Sequence, residues 1–403
     1  MTGDPAGPQR PGRLIANLMA QYVFGLLAMT ICVPSMQQWP VTFATSQAQV
    51  QLTLSGYVAA YGILQLVHGA LSDRIGRKPV LLAGLGLAFV GSALAAAASD
   101  LWMLIAARVL QGAGSAAGVV VGRAMVQDLF AGPERTRVMA FIGMTIGLSP
   151  PLAMLLGGQV HSRLGWQANF VAMAVLAALL MVAAWWGLPT RKPQDAQPPG
   201  GWSDLFRGYA HLARQPGFLL HVLILAMTSA SFYAFLGGAP IVLAGYGVKP
   251  EQIGWYIMSV PCAYVLGNLL CTRLVRWLPD SRIMLLGHLC TVTSVVLVLA
   301  LGLAGLHTPL GLSLPLMLLG IGHGLLMPAT LGGALGLVPA LAGSAAAVGG
   351  LMQQLTGALG GFIVGLMPHV GPVNLGLQML VSVVAGLLAQ LALLRTLRST
   401  KSH

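Results

Sequence analysis

The chain has 403 residues, of which 56% are hydrophobic and 7% charged, with mean hydropathy +0.81 and a formal net charge of +12. A soluble domain carries about a quarter charged residues, so this composition excludes a water-soluble globule. Nor does the basic surplus indicate nucleic-acid binding, because the lysines and arginines fall in short segments between apolar runs rather than on one patch.

The apolar runs are long enough to cross a ~30 Å hydrocarbon core as helices. In chain order the predicted spans are 14–36, 50–72, 80–99, 101–126, 136–161 and 166–188, then 217–245, 252–276, 282–304, 312–337, 342–367 and 372–394. The expected fold is therefore all-α: twelve membrane helices in two six-helix halves, 14–188 and 217–394, with tails 1–13 and 395–403. The first run follows Arg10 and Arg13, is too long for a signal-peptide core and lacks a small-residue cleavage site, so it reads as a retained span.

The linker 189–216 contains "LPTRKPQDAQPPGG", whose prolines and glycines interrupt any continuous helix. Beyond it, "WSDLFRGYAHLAR" places Trp202, Leu205, Phe206, Tyr209 and Leu212 on one helical face. That is either an amphipathic helix lying in the membrane interface or an ordinary structured linker.

With the N-terminus in the cytoplasm, eighteen of the twenty-one lysines and arginines fall on the inside. Arg163 and Lys249 fall outside, and Arg108 lies within a span. Basic residues concentrate on the cytoplasmic side of membrane proteins, so both termini are expected there. The halves also echo each other at an offset of about 200 residues, Gly69 with Gly267 and Gly157–Gly158 with Gly360–Gly361. A duplicated helical array with a central linker is a transporter arrangement, the substrate site lying between the halves.

Cys32, Cys262, Cys271 and Cys290 sit within or near the ends of apolar segments, without metal-like pairing, and read as small packing residues. No P-loop, HExxH or GxSxG pattern occurs in usable context, so neither ATP-driven nor enzymatic work is expected.

The densest charge lies in "GALSDRIGRKP", residues 69–79. Its pattern Gly69-x-x-x-Asp73-Arg74-x-Gly76-Arg77-Lys78 resembles motif A of the major facilitator superfamily at every position. "RVLQGAGSAAG", with Arg108, Gln111 and Gly112, resembles motif B in span four. "GMTIGLSPPLAMLLGG" resembles a degraded motif C, keeping Gly147, Pro150, Pro151, Gly157 and Gly158, with Met154 where a proline is usual. Over nearly its whole length the chain is similar to the Bcr/CflA branch of drug:proton antiporters, which includes bicyclomycin, chloramphenicol and florfenicol exporters.

That resemblance implies an inner-membrane exporter of small, largely apolar compounds. It would exchange them for protons by alternating access, without a cofactor, as a monomer in lipid. The resemblance also implies a cytoplasmic latch. Asp73 would sit at the N-terminus of span eleven and Arg77 would pair with Asp128. The alternative is a loop that anchors topology without gating.

The chain departs from the branch in span one. Thr30, ahead of Pro34, stands where these transporters usually carry an aspartate, and all nine acids fall in loops or at helix ends. The proton carrier is then open, and neutral or anionic substrates are favoured over cations. Arg108, alone among the basic residues in being deep in a span, marks a functional site. His323 in span ten is either a proton carrier or a packed, hydrogen-bonded residue. Polar candidates for the cavity wall include Gln21, Thr30, Tyr57, Tyr61, Tyr233, Gln353 and Gln354. Two other readings are kept: an uptake carrier or uncoupled facilitator for a metabolite, and a membrane sensor or scaffold that does not transport.

Overall fold

The computed structural model describes residues 11–130, 132–189, 210–337, 342–368 and 371–399, without the side chains of 11, 73, 127, 132–137, 139–144, 146–148, 342–344 and 397–399. Among the described residues there are helices and no strands. We number the long helices α1 (Pro11–Thr30), α2 (Gln47–Ile75), α3 (Arg77–Ala96), α4 (Leu101–Leu129), α5 (Gly132–Leu164) and α6 (Gln167–Gly187). The second half contains α7 (Pro216–Gly245), α8 in two pieces (Pro250–Ile257 and Ser259–Leu274), α9 (Asp280–Leu303), α10 (Pro309–Leu337), α11 (Ala342–Leu366) and α12 (Val373–Ser399). Eleven of these spans are long and apolar enough to cross a membrane among the described residues. The other, α5, contains the predicted span 136–161, of which several side chains are not described.

Local signals set the helix boundaries. Ser46 and Gln49 form a capping box at the start of α2, and Asp100 accepts from the Met103 N–H at 2.9 Å to open α4. Between α2 and α3 the chain turns at Gly76, whose φ of +102° is open to glycine and strained for any side chain. α1 is shorter than its apolar run. Its backbone ladder stops with Ile31 donating to Leu27, because Pro34 has no N–H and its ring clashes with the α-helical carbonyl of Thr30. A 3₁₀ turn, Val33–Gln37, and a short helix, Trp39–Thr42, carry the chain to α2. Of the predicted linker helix only 210–214 are described, Leu212 being buried against Phe218, Val222, Ala334 and Ala345.

Small residues bring the helices together. In the first half α4 packs against α1, α2 and α3, and in the second α10 packs against α7, α8 and α9. The halves meet along two seams, α2 with α11 and α5 with α8. Both seams lie at the ends remote from the termini, called here the far face. On α11 a Cβ at Gly365 would stand 2.7 Å from Ala48 Cα, and a Cβ at Gly361 would stand 3.5 Å from Ser55 Oγ. Gln354 abuts Gly62, yet a Cβ at Gly350, one turn nearer the start of α11, would have nothing within 4 Å among the described residues. The α2–α11 contact therefore ends partway down the helix. On the other seam, Gly158 packs on the Pro250 carbonyl and Gly254 packs on Leu155.

Gly112 of α4 meets the Tyr57 carbonyl of α2 so closely that a Cβ would overlap it. Gly112→Val is expected to push these helices apart at a cost of ~1–3 kcal/mol. In a thermal-shift measurement on detergent-solubilised protein, Gly112→Val should melt below wild type. Gly86→Val should melt with it, because nothing lies within 4 Å of Gly86.

Candidate functional site

Arg108 is fully buried on α4. Its Nη1 donates to the Ala28 carbonyl at 2.7 Å and to Gln111 Oε1, and its Nη2 donates to the Met29 carbonyl at 3.0 Å. The Tyr57 ring lies 4.3 Å from the guanidinium carbon and the Phe170 ring 5.8 Å. Gln111 donates onward to Ser92 Oγ at 2.7 Å, and the Tyr57 hydroxyl donates to the Gly25 carbonyl at 2.7 Å. The guanidinium thus caps the broken end of α1, where carbonyls left without a helical partner carry partial negative charge. Its charge is met by carbonyls, an amide and two aromatic faces, with no carboxylate among the described contacts. Nε alone has no hydrogen-bond partner.

The same end of α1 touches the second half. The Tyr233 hydroxyl of α7 lies 3.6 Å from Met29 Sδ and donates to Gln354 Oε1 of α11 at 3.2 Å. Gln51 of α2 donates to the Gly237 carbonyl of α7 at 3.2 Å. Tyr61 stacks on Tyr57 at 6.0 Å and packs over Gly25. Arg108, Tyr57, Tyr61, Tyr233 and Gln354 therefore gather around one junction between the halves.

Other predicted residues lie elsewhere. Gln21 donates to the Leu180 carbonyl of α6 at 3.0 Å, inside the first half. Thr30 is buried and returns its hydroxyl to the Leu26 carbonyl. Gln353 points to Met327 Sδ at 3.1 Å. His323 lies behind α7, with Nε2 3.0 Å from Ser231 Oγ. Gly157 packs on the Ile31 carbonyl while Gly158 packs on Pro250, so this glycine pair lets α5 approach α1 and α8 together. Pro150 and Pro151 lie inside α5, and Gly147 lies in the same helix.

At the terminus face the charged turn is tied to its own half. Arg77 Nε donates to Asp128 Oδ2 at 3.1 Å and Nη1 donates to Ser72 Oγ at 2.8 Å. Lys78 Nζ donates to the Trp185 and Leu188 carbonyls at 2.5 and 2.9 Å, capping the end of α6. Gly69 packs on Val120 of α4 and Arg74 is exposed. The Asp73 side chain lies outside the described residues.

Sequence reasoning missed the partners of Arg108 on Ala28 and Met29, together with Ser92 and Phe170. Pro34 was the available signal, since a proline near the end of an apolar run leaves carbonyls that need a donor. His288 was also missed, although the rule that singled out His323 applies to it equally.

The family model described as Major Facilitator Superfamily matches residues 18–361. The chain belongs to this superfamily. It is a multi-pass membrane transporter, not an enzyme. It is 29% identical over 378 residues to Multidrug resistance protein D of Escherichia coli, covering 92% of this chain and 93% of that one. It is 31% identical over 386 residues to a Chloramphenicol resistance protein of Pseudomonas aeruginosa, covering 93% and 90%. The fold is also similar to the crystal structure of a bacterial homologue of the human lysosomal transporter Spinster, inward-facing and occupied, with TM-score 0.75, 16% identity and 98% coverage of both chains.

Within this superfamily fold, removing the guanidinium leaves two buried carbonyls unsatisfied, each at ~1–3 kcal/mol. Arg108→Ala is expected to lower the melting temperature of the detergent-solubilised protein. Arg108→Lys, with a single ammonium in place of the planar fork, should lower it less. Equal melting of Arg108→Ala and wild type would remove the capping role.

Proposed function

We propose that this transporter exports small, largely apolar, neutral drug-like compounds of the phenicol or bicyclomycin type in exchange for protons. The seam geometry supports the alternating-access part of this reading most directly. The halves touch through α2–α11 and α5–α8 at the far face, and the α2–α11 contact ends at Gln354, above the open space at Gly350. The basic loops favour a cytoplasmic location for the termini, so this arrangement fits an inward-facing state. Rocking of residues 14–188 against 217–394 would close the terminus face and open the far one.

Neutral compounds fit the chemistry of the junction. Arg108 already donates both terminal nitrogens to α1 and Gln111. That leaves Tyr61, Tyr233 and Gln354 to read a substrate by hydrogen bonds and ring contacts within apolar walls. Efflux relatives that carry drug-resistance names support the substrate class.

In the outward-facing state, Asp73 would meet the N-terminus of α11 and lock the terminus face. Arg77–Asp128 and Lys78–α6 would hold the turn rigid for that contact. The proton gradient is the energy source, no cofactor takes part, and a monomer suffices.

The test is chloramphenicol accumulation in pump-deficient cells expressing the chain, with and without a protonophore. Accumulation is expected below that of empty-vector cells, rising to their level when the gradient collapses. Asp73→Asn should insert normally and export less. Accumulation equal to empty-vector cells under both conditions would favour the metabolite carrier. Unchanged export by Asp73→Asn would remove the latch.

A further inference from the structure

A second polar site lies behind α7. Ser231 and Tyr233 are two residues apart, so a helix directs them to opposite sides. Tyr233 faces the junction between the halves, whereas Ser231 faces His323 of α10. Beyond Ser231 is a small cavity bounded by α7, α9, α10 and α12, with Thr228, Ser231, His288, Thr291, His323 and Ser382 in its lining. It has room for about one water molecule.

His288 is 2% exposed and neither of its ring nitrogens has a hydrogen-bond partner among the described residues. An imidazole always presents at least one N–H donor, and in its neutral form one acceptor as well. In hydrocarbon such groups find partners or a ligand. Gly386 of α12 makes space for this ring, since a Cβ there would stand 3.0 Å from His288 Cε1. A buried ring with both nitrogens unpaired, facing four hydroxyls and a second histidine, is a site for water and a proton.

We propose that His288 and His323, bridged by water, are the proton-carrying site of this transporter. The inference rests on the proton-exchange reading above. It supplies the carrier that Thr30 cannot be.

Among the described residues the cavity lining contains no carboxylate, lysine or arginine, and the two histidines are its only titratable groups. The hydroxyls facing them come from α7 (Thr228, Ser231), α9 (Thr291) and α12 (Ser382). On α8, which packs on the other side of α10, Tyr264 and Cys271 stay outside the lining, as does His221 of α7. Two imidazolium charges in so dry a space repel, so the pair holds one proton at a time. The proton binds at a free ring nitrogen, passes through the water to the other ring and leaves from there. When neutral His323 presents Nε2 as an acceptor, Ser231 donates to it. Charging His323 makes Nε2–H the donor, so Ser231 turns its proton to the Thr228 carbonyl, 3.1 Å away, and accepts from the ring. That change acts on α7, the helix that also presents Tyr233 to the junction. Proton occupancy then biases the equilibrium between the two access states.

The test uses purified full-length protein in proteoliposomes with chloramphenicol as the probe. Gradient-driven accumulation and gradient-free exchange are measured for wild type, His288→Gln and His323→Gln. Wild type is expected to show both. The variants should keep exchange and lose accumulation, falling to the level of protein-free vesicles at every pH. The His288 ring makes no hydrogen bond to the described residues, so His288→Gln breaks none of those and decides the matter where His323→Gln fails to insert. Accumulation by both variants, driven by the gradient as in wild type, would overturn this assignment and leave proton exchange standing. A wild type that exchanges chloramphenicol but ignores the gradient would overturn both.

Discussion

A helix that ends inside hydrocarbon leaves carbonyls that water cannot reach. α1 ends in this way at Thr30, ahead of Pro34, and Arg108 supplies the missing donors. Much of the first half is arranged around that contact. α2 places Tyr57 beneath the guanidinium, α4 holds Gln111 beside it, and α3 steadies Gln111 through Ser92. α6 adds Phe170, which belongs to a cluster with Trp39, Phe43 and Trp166 at the far face. One cation therefore couples five helices. It is stable there because its hydrogen bonds and ring contacts replace water on nearly every side.

The capped end of α1 is also where the first half meets the second, through Met29 and Tyr233. The seams beside it set glycines against side chains and backbone of the other half, Gly62 on Gln354, Gly365 on Ala48 and Gly254 on Leu155. Such surfaces give close packing with few directional bonds, so they can part and re-form without stranding polar groups. The contacts at the terminus face differ in kind. Arg77–Asp128 and Lys78–α6 are charged and stay within one half, fixing the turn as a rigid part of that half. Glycine seams between halves and charged ties within them suit the alternating access proposed above.

The helix count and the division into two arrays were legible in the sequence because hydrocarbon thickness sets a minimum apolar length. So was the family, because motif A places glycine where the backbone turns at φ +102° and basic residues where they reach Asp128 and α6. Arg108 was legible only as an intramembrane charge that marks a functional site. The sequence places no carboxylate within a span, and the partner is backbone. Carbonyls have no signature in a residue list, so the contact could not be read from composition or spacing.

The sequence by itself determined that this is a duplicated helical membrane protein with an intramembrane cation and no intramembrane acid, since each of these depends on residue type and local order. Tertiary structure alone decided which polar residues share a space. Gln21 and Gln354, alike in the sequence, part company because α1 turns one toward α6 while α11 turns the other toward Tyr233. Ser231, His288 and His323, spread over three helices, come together because Gly287 and Gly322 let α9 and α10 pack closely and Gly386 brings α12 against both His288 of α9 and Met227 of α7. Proximity across helices depends on which faces pack, and no one helix carries that information.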